Sequence, residues 1–292
     1  MTSPTGPVVA IHAGAGERLP AVLEHEAEIR GALLDALAAG RAPLECGQDA
    51  GEAVQAAVVA MESFELFNAG RGSTLCADGS VEMSAALMRS DRAAGAVARV
   101  RHTEHPILGA AVVMHSAQVL MVGGAADALA AQAGLEQRAR EYFVTERQST
   151  RLLEAAAGTD HATVGAVCLA PNGGLAAATS TGGVRAQPPG RVGDSPLIGA
   201  GTWADSGVAI SCTGNGEAFI RSGTGRYIGA LVEHGWPIAQ AAERALGQVR
   251  ELGATGGLIA LDAAGTVAMP FLSAVMPRGV WRLGQEPAVW VG

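Results

Sequence analysis

The chain has 292 residues, of which 49% are hydrophobic and 4% aromatic, and it contains 40 glycines. Its formal net charge of -8 argues against nucleic acid or an anionic membrane as a partner, because both require clustered positive charge. All 20 basic residues are arginines, and the absence of lysine excludes Schiff-base chemistry, a P-loop lysine and a Ser-Lys dyad. We therefore expect a globular protein whose partners are small molecules or peptides.

The first half of the chain alternates predicted strands and helices. A strand over Val8–His12 precedes a helix over Leu19–Ala39 that Gly40 ends, and Asp49 is a predicted N-cap for a second helix over Ala50–Met61. His12 is interpreted as a buried strand histidine bonded to a backbone carbonyl. The later elements, in the order strand, strand, helix, strand, helix and helix, are predicted at Ser80–Met88, Ala94–Val100, Pro106–Ala117, Val119–Val122, Ala125–Ala131 and Glu146–Ala156.

Three potential metal ligands, His102, Glu104 and His105, lie close together in the sequence. Side chains at positions 102 and 105 fall on opposite faces of a strand, and Pro106 then begins a helix. We therefore predict a surface loop here rather than a zinc site.

A hairpin near the middle of the chain carries the first candidate catalytic residues. Thr163–Leu169 is rich in small and β-branched residues, Asn172-Gly173 suits a tight turn, and Leu175–Thr181 is the return strand. This pairing brings Thr163 and Thr181 together at the open end of the hairpin. A solvated sheet edge would also place two hydroxyl groups there, so the hairpin alone leaves both interpretations open.

The last third of the chain contains a strand, two helices, a hairpin and a terminal strand. These elements are predicted at Val208–Cys212, Tyr227–Glu233, Ile238–Leu252, Gly257–Leu261 with Val267–Phe271, and Val289–Val291. No internal repeat, low-complexity tract or linker divides the chain, which predicts a single domain over residues 1–292.

Four sequence blocks follow one another in the order and spacing of a known family. They are Thr163-Val164-Gly165-Ala166-Val167, Thr179-Ser180-Thr181-Gly182-Gly183, Gly190-Arg191-Val192-Gly193-Asp194-Ser195-Pro196 and Ser211-Cys212-Thr213-Gly214. The chain thus resembles the plant-type L-asparaginase/isoaspartyl peptidase family of N-terminal-nucleophile hydrolases over nearly its whole length. The resemblance implies an α/β fold of the four-layer αββα type. It also implies hydrolysis of L-asparagine or β-aspartyl dipeptides, which are small-molecule substrates.

In that family the precursor cuts its own chain before a threonine, which here would be Thr163. Cleavage between Ala162 and Thr163 would produce an α segment, 1–162, and a β segment, 163–292. The freed α-amino group, whose pKa is about 7.7 to 8.0 in short peptides, would then be the base that activates the hydroxyl of the same residue.

Two alternatives stay open. Most asparaginase-type members have glycine where this chain has Ala162, and the linker before it is short. A non-processing homologue that binds amino acids or isoaspartyl peptides without turnover would carry these differences. A glycosylasparaginase-like activity is the other alternative, although relatives of that type usually have aspartate before the threonine and are exported.

The resemblance also implies roles for residues around the nucleophile. Thr181 would hydrogen-bond the nucleophile and tune it, and Asn68 would support it. The Thr213 hydroxyl and the Gly214 amide would form an oxyanion hole, in which donors face the developing negative charge.

Arg191 and Asp194 together suggest a clamp for an amino acid. Arg191 offers a fork of donors that suits a carboxylate, and Asp194 can accept an ammonium group. The family assigns the matching residues to the substrate α-carboxylate and α-amino group, and it adds the Gly216 carbonyl to the amino site. A salt bridge between Arg191 and Asp194 is the alternative.

The loop over Phe64–Gly72 matches the Leu-Phe-Asn-Ala-Gly loop of the family. The match implies a structural sodium ion bound by backbone carbonyl oxygens, which suit a hard cation, and no cofactor for catalysis. A plain turn is the alternative. The implied carbonyl donors belong to Met61, Glu62, Phe64, Phe67, Ala69 and Arg71.

Cysteine usage and the N-terminus predict a cytoplasmic protein. The four cysteines are widely spaced, with no Cys-x-x-Cys pair, and are expected to be reduced thiols. The first residues show no basic region followed by a signal-length apolar run, so neither secretion nor membrane insertion is expected. Family precedent implies a dimer of αβ units.

Overall fold

The computed structural model describes residues 6–16, 24–153 and 163–292. Within these ranges two β-sheets face each other, and helices cover the outer face of each sheet. The strands are β1 (Val8–Ala13), β2 (Met83–Arg89), β3 (Ala94–Val100), β4 (Leu120–Val122), β5 (Val164–Leu169), β6 (Leu175–Thr181), β7 (Thr202–Ala204), β8 (Val208–Gly214), β9 (Gly256–Asp262), β10 (Val267–Ala268), β11 (Arg278–Arg282) and β12 (Ala288–Trp290). The helices are α1 (Glu26–Glu45), α2 (Ala50–Glu62), α3 (Pro106–Met114), α4 (Gly124–Gln132), α5 (Arg140–Phe143), α6 (Glu146–Leu153), α7 (Gly216–Ser222), α8 (Thr224–Glu233) and α9 (Ile238–Glu251).

The larger sheet has eight strands in the order β12-β11-β1-β5-β6-β2-β3-β4, and the smaller has four in the order β10-β9-β8-β7. The β5–β6 hairpin lies at the middle of the larger sheet, between β1 and β2, and is antiparallel to both. Its register pairs Val164 with Ser180, so Thr163 lies next to Thr181 at the open end. The predicted central hairpin is therefore confirmed.

Side chains alternate between the two faces of each strand, so the apolar residues of the larger sheet pack into two separate core layers. On β1, Val9 and Ile11 pack into the layer beneath the helices, whereas Val8 and Ala10 pack against the smaller sheet. Both faces of the strand are buried, which explains its continuous apolar sequence.

Helices α1, α2 and α3 pack on the outer face of the larger sheet, and α8 and α9 pack on the smaller one. The two sheets contact each other through β5 and β6 on one side and through β7, β8 and β9 on the other. The four layers form an αββα sandwich, as the family resemblance implied.

Helix α1 extends beyond its predicted end at Ala39. Gly40 does not end it, because this glycine is buried at a helix crossing: a Cβ there would lie 3.1 Å from both Ala57 Cβ and Val9 Cγ1. The absent side chain lets α1 pack closely on α2 and β1, and the helix continues to Glu45. The predicted start of this helix lies outside the described residues.

Helix α2 begins where the sequence predicted. The Asp49 Oδ1 accepts hydrogen bonds from the amides of Gly51 at 2.7 Å and Glu52 at 3.1 Å, and the Glu52 carboxylate accepts the Asp49 amide at 3.1 Å. This reciprocal capping box satisfies amides that would otherwise lack partners at the start of the helix.

Several short elements were not predicted, and some predicted ends shift. Helix α3 ends at Met114 rather than Ala117, and α6 is described to Leu153, so the rest of its predicted range lies outside the described residues. The unpredicted elements are α5, α7, β7 and β11. Among the described residues, no helix combines the length and apolar character needed to span a membrane.

The side chains of His102, Glu104 and His105 turn to different partners. His102 Nδ1 lies 3.2 Å from a backbone carbonyl oxygen, and Glu104 Oε1 accepts the Tyr142 hydroxyl at 2.9 Å. His105 Nδ1 lies 3.3 Å from Glu62 Oε2, and the histidine side chain is 18% exposed. The predicted loop is confirmed at these three residues, but His105 is only partly exposed, because it packs against a fully buried carboxyl group.

Candidate active site

Thr163 and Thr181 form a buried pair of hydroxyl groups at the open end of the β5–β6 hairpin. The Thr163 hydroxyl donates to the Thr181 hydroxyl at 3.1 Å, and Thr181 Oγ1 also accepts the Gly183 amide at 3.0 Å. The two threonines are 7% and 6% exposed, respectively, so the alternative of a solvated sheet edge is wrong.

These hydroxyl groups border a pocket of about 220 Å³, its open mouth included. The lining residues are Thr163, Thr181, Gly183, Val184, Arg191, Gly193, Asp194, Ser195 and Gly214. The pocket therefore combines residues of the predicted nucleophile, oxyanion hole and amino-acid clamp.

Asn68 fixes the turn that follows Thr181. Its Nδ2 donates to the Gly183 carbonyl at 2.7 Å, and its backbone carbonyl accepts the Gly182 amide at 3.0 Å. Its Oδ1 accepts the Thr74 amide at 2.8 Å. Asn68 thus connects the loop after α2 to the strand that carries Thr181.

A polar network lies behind the nucleophile, between the two sheets. The Ser211 hydroxyl is 2.9 Å from His12 Nε2 and 2.7 Å from the Thr179 hydroxyl, to which Thr202 donates at 2.7 Å. A Cβ at Gly165 would overlap the Ser211 hydroxyl, so the glycine permits this approach of β5 to β8.

His12 is a fully buried strand histidine, as the sequence predicted. Burial lowers its pKa to about 3, against an opposing contribution from the Thr163 backbone. The ring is therefore neutral near pH 7, and its Nε2 contacts the Ser211 hydroxyl.

Thr213 and Gly214 end strand β8 beside the pocket. Thr213 is fully buried, and its hydroxyl accepts the Ala15 amide at 3.2 Å, which leaves the hydroxyl proton to be donated. Gly214 lines the pocket and has a φ of 139°, in the region that favours glycine. A hydroxyl donor and an amide donor thus lie on adjacent residues beside the pocket.

Asp194 lies buried in the pocket wall with an unsatisfied oxygen. It is 4% exposed, and its Oδ2 has no hydrogen-bond partner among the described residues. Burial raises the pKa of Asp194 to about 7, while backbone hydrogen bonds and Arg191 oppose the increase. A ligand that brings a positive charge would satisfy this oxygen and favour ionisation.

Arg191 pairs with Glu217 rather than with Asp194, so the predicted alternative of an Arg191–Asp194 salt bridge is wrong. Its Nε and Nη2 donate to the two Glu217 oxygens at 2.8 and 3.1 Å, and its Nη1 donates to Gln187 Oε1 at 3.2 Å. Glu217 holds the Nε–Nη2 edge of the guanidinium and Gln187 holds Nη1, so one N–H group remains on each of Nη1 and Nη2.

Glu217 was not predicted from the sequence. It lies on α7, a short helix that was not predicted because its first residue belongs to the glycine-rich Thr213–Gly216 stretch. Glu217 is also 26 residues from Arg191 in the sequence. The available signal was an acidic residue directly after this stretch, at a position typical of a first helical turn.

Gly216 begins α7 between the two clamp residues. A Cβ at this position would lie 2.9 Å from Asp194 Oδ1 and 3.1 Å from Arg191 Nη2. The missing side chain therefore lets both charged groups approach the start of the helix.

The loop after α2 contains the six predicted carbonyl donors: Met61, Glu62, Phe64, Phe67, Ala69 and Arg71. A Cβ at Gly70, whose φ is 54°, would overlap the Glu62 carbonyl oxygen, and one at Gly72 would overlap that of Phe67. The two glycines thus let the backbone of this loop fold closely on itself. Four of the six carbonyl oxygens, those of Met61, Phe64, Phe67 and Ala69, already accept a backbone amide, and each keeps a second lone pair.

The fold and the site define the class of protein. An αββα sandwich with a buried threonine at the start of a central strand is the arrangement of an N-terminal-nucleophile hydrolase. The Asparaginase family model matches residues 5–161 and 154–291. The chain therefore belongs to the asparaginase family.

Named relatives align over nearly the full length of the chain. The isoaspartyl peptidase of Salmonella typhimurium is 43% identical over 306 aligned residues, which cover 97% of this chain and 98% of that protein. The isoaspartyl peptidase of Escherichia coli is 41% identical, with 97% and 95% covered. The plant-type L-asparaginase of Pyrobaculum calidifontis is 41% identical, with 96% and 98% covered. The resemblance inferred from the four sequence blocks is confirmed.

Proposed function

We propose that this protein hydrolyses the side-chain amide of L-asparagine and the β-aspartyl bond of isoaspartyl dipeptides, with Thr163 as the nucleophile. One observation carries the proposal: a single small pocket contains the Thr163 hydroxyl together with Arg191 and Asp194. The names of the relatives, isoaspartyl peptidase and plant-type L-asparaginase, support the same two substrates.

The proposal includes self-cleavage between Ala162 and Thr163. Ala162 lies outside the described residues, and Thr163 begins the described chain that leads into β5. The resulting segments, 1–162 and 163–292, would share one sheet, because β5 hydrogen-bonds to β1 and β6 to β2. Cutting this bond would free an amine at the nucleophile while the two segments stay paired.

In the proposed acylation, the neutral α-amino group of Thr163 accepts the hydroxyl proton as Oγ1 attacks the side-chain carbonyl carbon of the substrate. The Thr213 hydroxyl and the Gly214 amide donate hydrogen bonds to the oxyanion, and Thr181 keeps the nucleophile oriented from 3.1 Å. The intermediate collapses to an ester on Thr163, and the departing ammonia or amino acid takes up the proton.

Water then attacks the ester, with the same amine as base, and releases aspartate. The Nη1–Nη2 edge of Arg191 binds the α-carboxylate throughout. Asp194 and the Gly216 carbonyl bind the α-ammonium group, and Asn68 holds the turn after Thr181. All proposed steps use groups of this chain and water.

A Thr163→Ala variant tests the proposal most directly. Release of aspartate from L-asparagine and from β-Asp-Leu is measured, together with intact mass and N-terminal sequencing. We expect the native protein to be active and to contain a chain beginning Thr-Val-Gly, and the variant to be uncut and inactive. An equally active variant, or activity in a sample that holds only the uncut chain, contradicts the proposal. A native protein that binds aspartate but hydrolyses neither substrate indicates a binding homologue.

We also propose a structural sodium ion in the loop after α2, held by the carbonyl oxygens named above. The ion would stabilise the loop that presents Asn68 and would take no part in the chemistry. Thermal unfolding in sodium chloride is compared with that in choline chloride at equal ionic strength. A higher Tm in sodium supports the site, and identical Tm values contradict it.

For assembly and location, we propose a dimer of αβ units in the cytoplasm. All four cysteines lie in the described part of the chain and are unpaired, which favours a reducing compartment. Light scattering after size-exclusion chromatography tests the dimer, and fractionation of the source cells tests the location.

A further inference from the structure

A buried carboxylate lies outside the pocket, behind the loop that carries Arg191. The Glu82 side chain is fully buried, and Arg99 binds it in a bidentate manner, Nε to Oε2 and Nη2 to Oε1, each at 2.9 Å. Arg101 Nη2 donates to Oε1 at 2.6 Å. Two guanidinium groups therefore balance one buried negative charge.

The third partner of Glu82 is the backbone of the substrate loop. The Gly190 amide donates to Glu82 Oε2 at 2.9 Å. Gly190 has a φ of 101°, a conformation that favours glycine, and it directly precedes Arg191. The carboxylate thus fixes the backbone from which the Arg191 side chain extends.

The charge on Glu82 is constant near neutral pH. Burial alone would raise the pKa of this carboxyl, but hydrogen bonds from Arg99, Arg101 and the Gly190 amide outweigh that contribution and lower the pKa to about 2.

The two arginines are held by contacts independent of the pocket. Arg99 has a φ of 57°, and its amide donates to the Ser84 hydroxyl at 3.2 Å. A non-glycine residue in this conformation is strained and persists where surrounding contacts impose it. The Arg101 amide donates to Asp127 Oδ2 at 2.9 Å. Both side chains therefore reach Glu82 from fixed backbone.

We propose that Glu82 is a positioning residue for the substrate α-carboxylate, because it holds Gly190, and through it Arg191, with the guanidinium facing the pocket. The inference rests on the proposed function, which assigns that carboxylate to Arg191. Glu82 is not among the residues that line the pocket, so its effect passes through the backbone.

The arrangement requires a carboxylate rather than a neutral acceptor. Each oxygen of Glu82 receives two donors: Arg99 Nη2 and Arg101 Nη2 on Oε1, and Arg99 Nε and the Gly190 amide on Oε2. A glutamine would place an NH₂ group against one of these donor pairs, whichever way its amide is turned. Glu82→Gln therefore breaks the hydrogen bonds at one of the two oxygen positions while it preserves the size of the side chain.

The test compares Glu82→Gln with the native protein in two measurements. Steady-state hydrolysis of L-asparagine gives KM and kcat, and isothermal titration calorimetry gives the Kd for L-aspartate, which carries the same α-carboxylate. We expect KM and Kd to rise about tenfold while kcat stays within about twofold, because ground-state binding is lost without loss of the reacting groups. Unchanged KM and Kd overturn the inference.

Glu104→Gln is the matched control. Glu104 is a carboxylate with 15% exposed side chain that contacts Arg138 at 3.2 Å and Tyr142 at 2.9 Å, away from the Arg191 loop. We expect it to lower Tm without changing KM or Kd. Equal increases of KM in both variants would mean that Glu82 acts only on overall stability, which overturns the inference.

Arg101→Gln covers the case in which Glu82→Gln does not fold. The Arg101 side chain is 46% exposed, so the substitution removes one donor to Glu82 from a solvent-accessible position. We expect a smaller increase of KM and Kd, about two- to threefold, and no increase overturns the inference. If the native protein hydrolyses neither substrate but binds aspartate, and Glu82→Gln weakens that binding, the proposed function fails and the positioning role stands. If it does not bind aspartate either, both fail.

Discussion

The Glu217 carboxylate accepts two hydrogen bonds from one edge of the Arg191 guanidinium, from Nε at 2.8 Å and from Nη2 at 3.1 Å. The Arg191 side chain is 15% exposed and that of Glu217 is 62% exposed, so a mostly buried arginine of the pocket wall pairs with a solvent-exposed carboxylate. The contact holds two nitrogens of a guanidinium that lines the pocket.

Glu217→Gln tests this contact. We expect KM for L-asparagine to rise about two- to fivefold with little change in kcat, because solvent-exposed ion pairs contribute about 0.2–1 kcal/mol. Glu233→Gln is the control, since Glu233 is 61% exposed and pairs with Arg226 at 3.4 Å on the surface. A KM below the native value would instead mean that Glu217 competes with the substrate for Arg191.

The pH dependence of substrate binding should follow Asp194. Its pKa is about 7 in the folded protein and 3.8 ordinarily, and only the ionised form attracts an ammonium group. We therefore expect the Kd for L-aspartate to fall as pH rises from about 6 to about 8, and Asp194→Asn to remove this dependence. Calorimetry at each pH measures it, and a native profile that is flat across this range contradicts the assignment.

The stability of the unliganded fold should decrease as pH rises, whereas substrate binding becomes tighter. Because the folded-state pKa of Asp194 lies above the ordinary value of 3.8, the folded protein retains a proton that the unfolded chain has lost. The Asp194 contribution to stability is therefore fully present below about pH 4 and decreases up to about pH 7. An asparagine at this position does not titrate, so Asp194→Asn does not lose stability in this way. In denaturant titrations, the free energy of unfolding of the variant minus that of the native protein should therefore increase over the same pH range. A constant difference contradicts the raised pKa.

Thr181→Val removes the hydroxyl that contacts the nucleophile but keeps the branched shape. We expect kcat to fall about ten- to a hundredfold, equivalent to about 1.4–2.8 kcal/mol of transition-state stabilisation. Thr181→Ser retains the hydroxyl and should remain close to the native rate. Steady-state kinetics on fully processed protein measures both, and native kcat in the valine variant would remove Thr181 from the mechanism.

Gly216→Ala should weaken substrate binding. Its Cβ would lie 2.9 Å from Asp194 Oδ1, in the space between the clamp groups, so we expect KM to rise at least about tenfold. Gly247→Ala is the control on α9, where a Cβ would meet nothing within 4 Å. It should leave KM unchanged and stabilise the protein by about 0.5–1 kcal/mol. Equal KM values in the two variants contradict the proposed clamp.

The central hairpin was predictable because its signals are local. Small and β-branched residues mark β5, Asn172-Gly173 marks the turn, and pairing from that turn leads directly to the Thr163–Thr181 contact. Gly40 shows where local signals fail: a glycine that suggested a helix end is required by close packing against Ala57 and Val9.

The supports of Arg191 were not predictable in the same way. Glu217 and Glu82 lie 26 and 109 positions from Arg191, and no local pattern connects either to it. A charged residue inside the predicted strand Ser80–Met88 was the one available signal for Glu82, because buried charges are nearly always paired. Its partners are Arg99 in a bulge of β3, Arg101 just after β3 and the Gly190 amide, which only the folded chain brings together.

The close approach of the two sheets at Gly165 has a consequence for protein engineering. Ser211 and His12 fill the space that a side chain would need there, so the sheets are tightly packed directly behind the strand that Thr163 precedes. Larger residues on the inward faces of β5 and β8 would push the sheets apart and displace Thr163 with them. Changes of substrate scope are therefore better sought in the loops that carry Arg191 and Glu217, whose remodelling leaves the reacting oxygen in place.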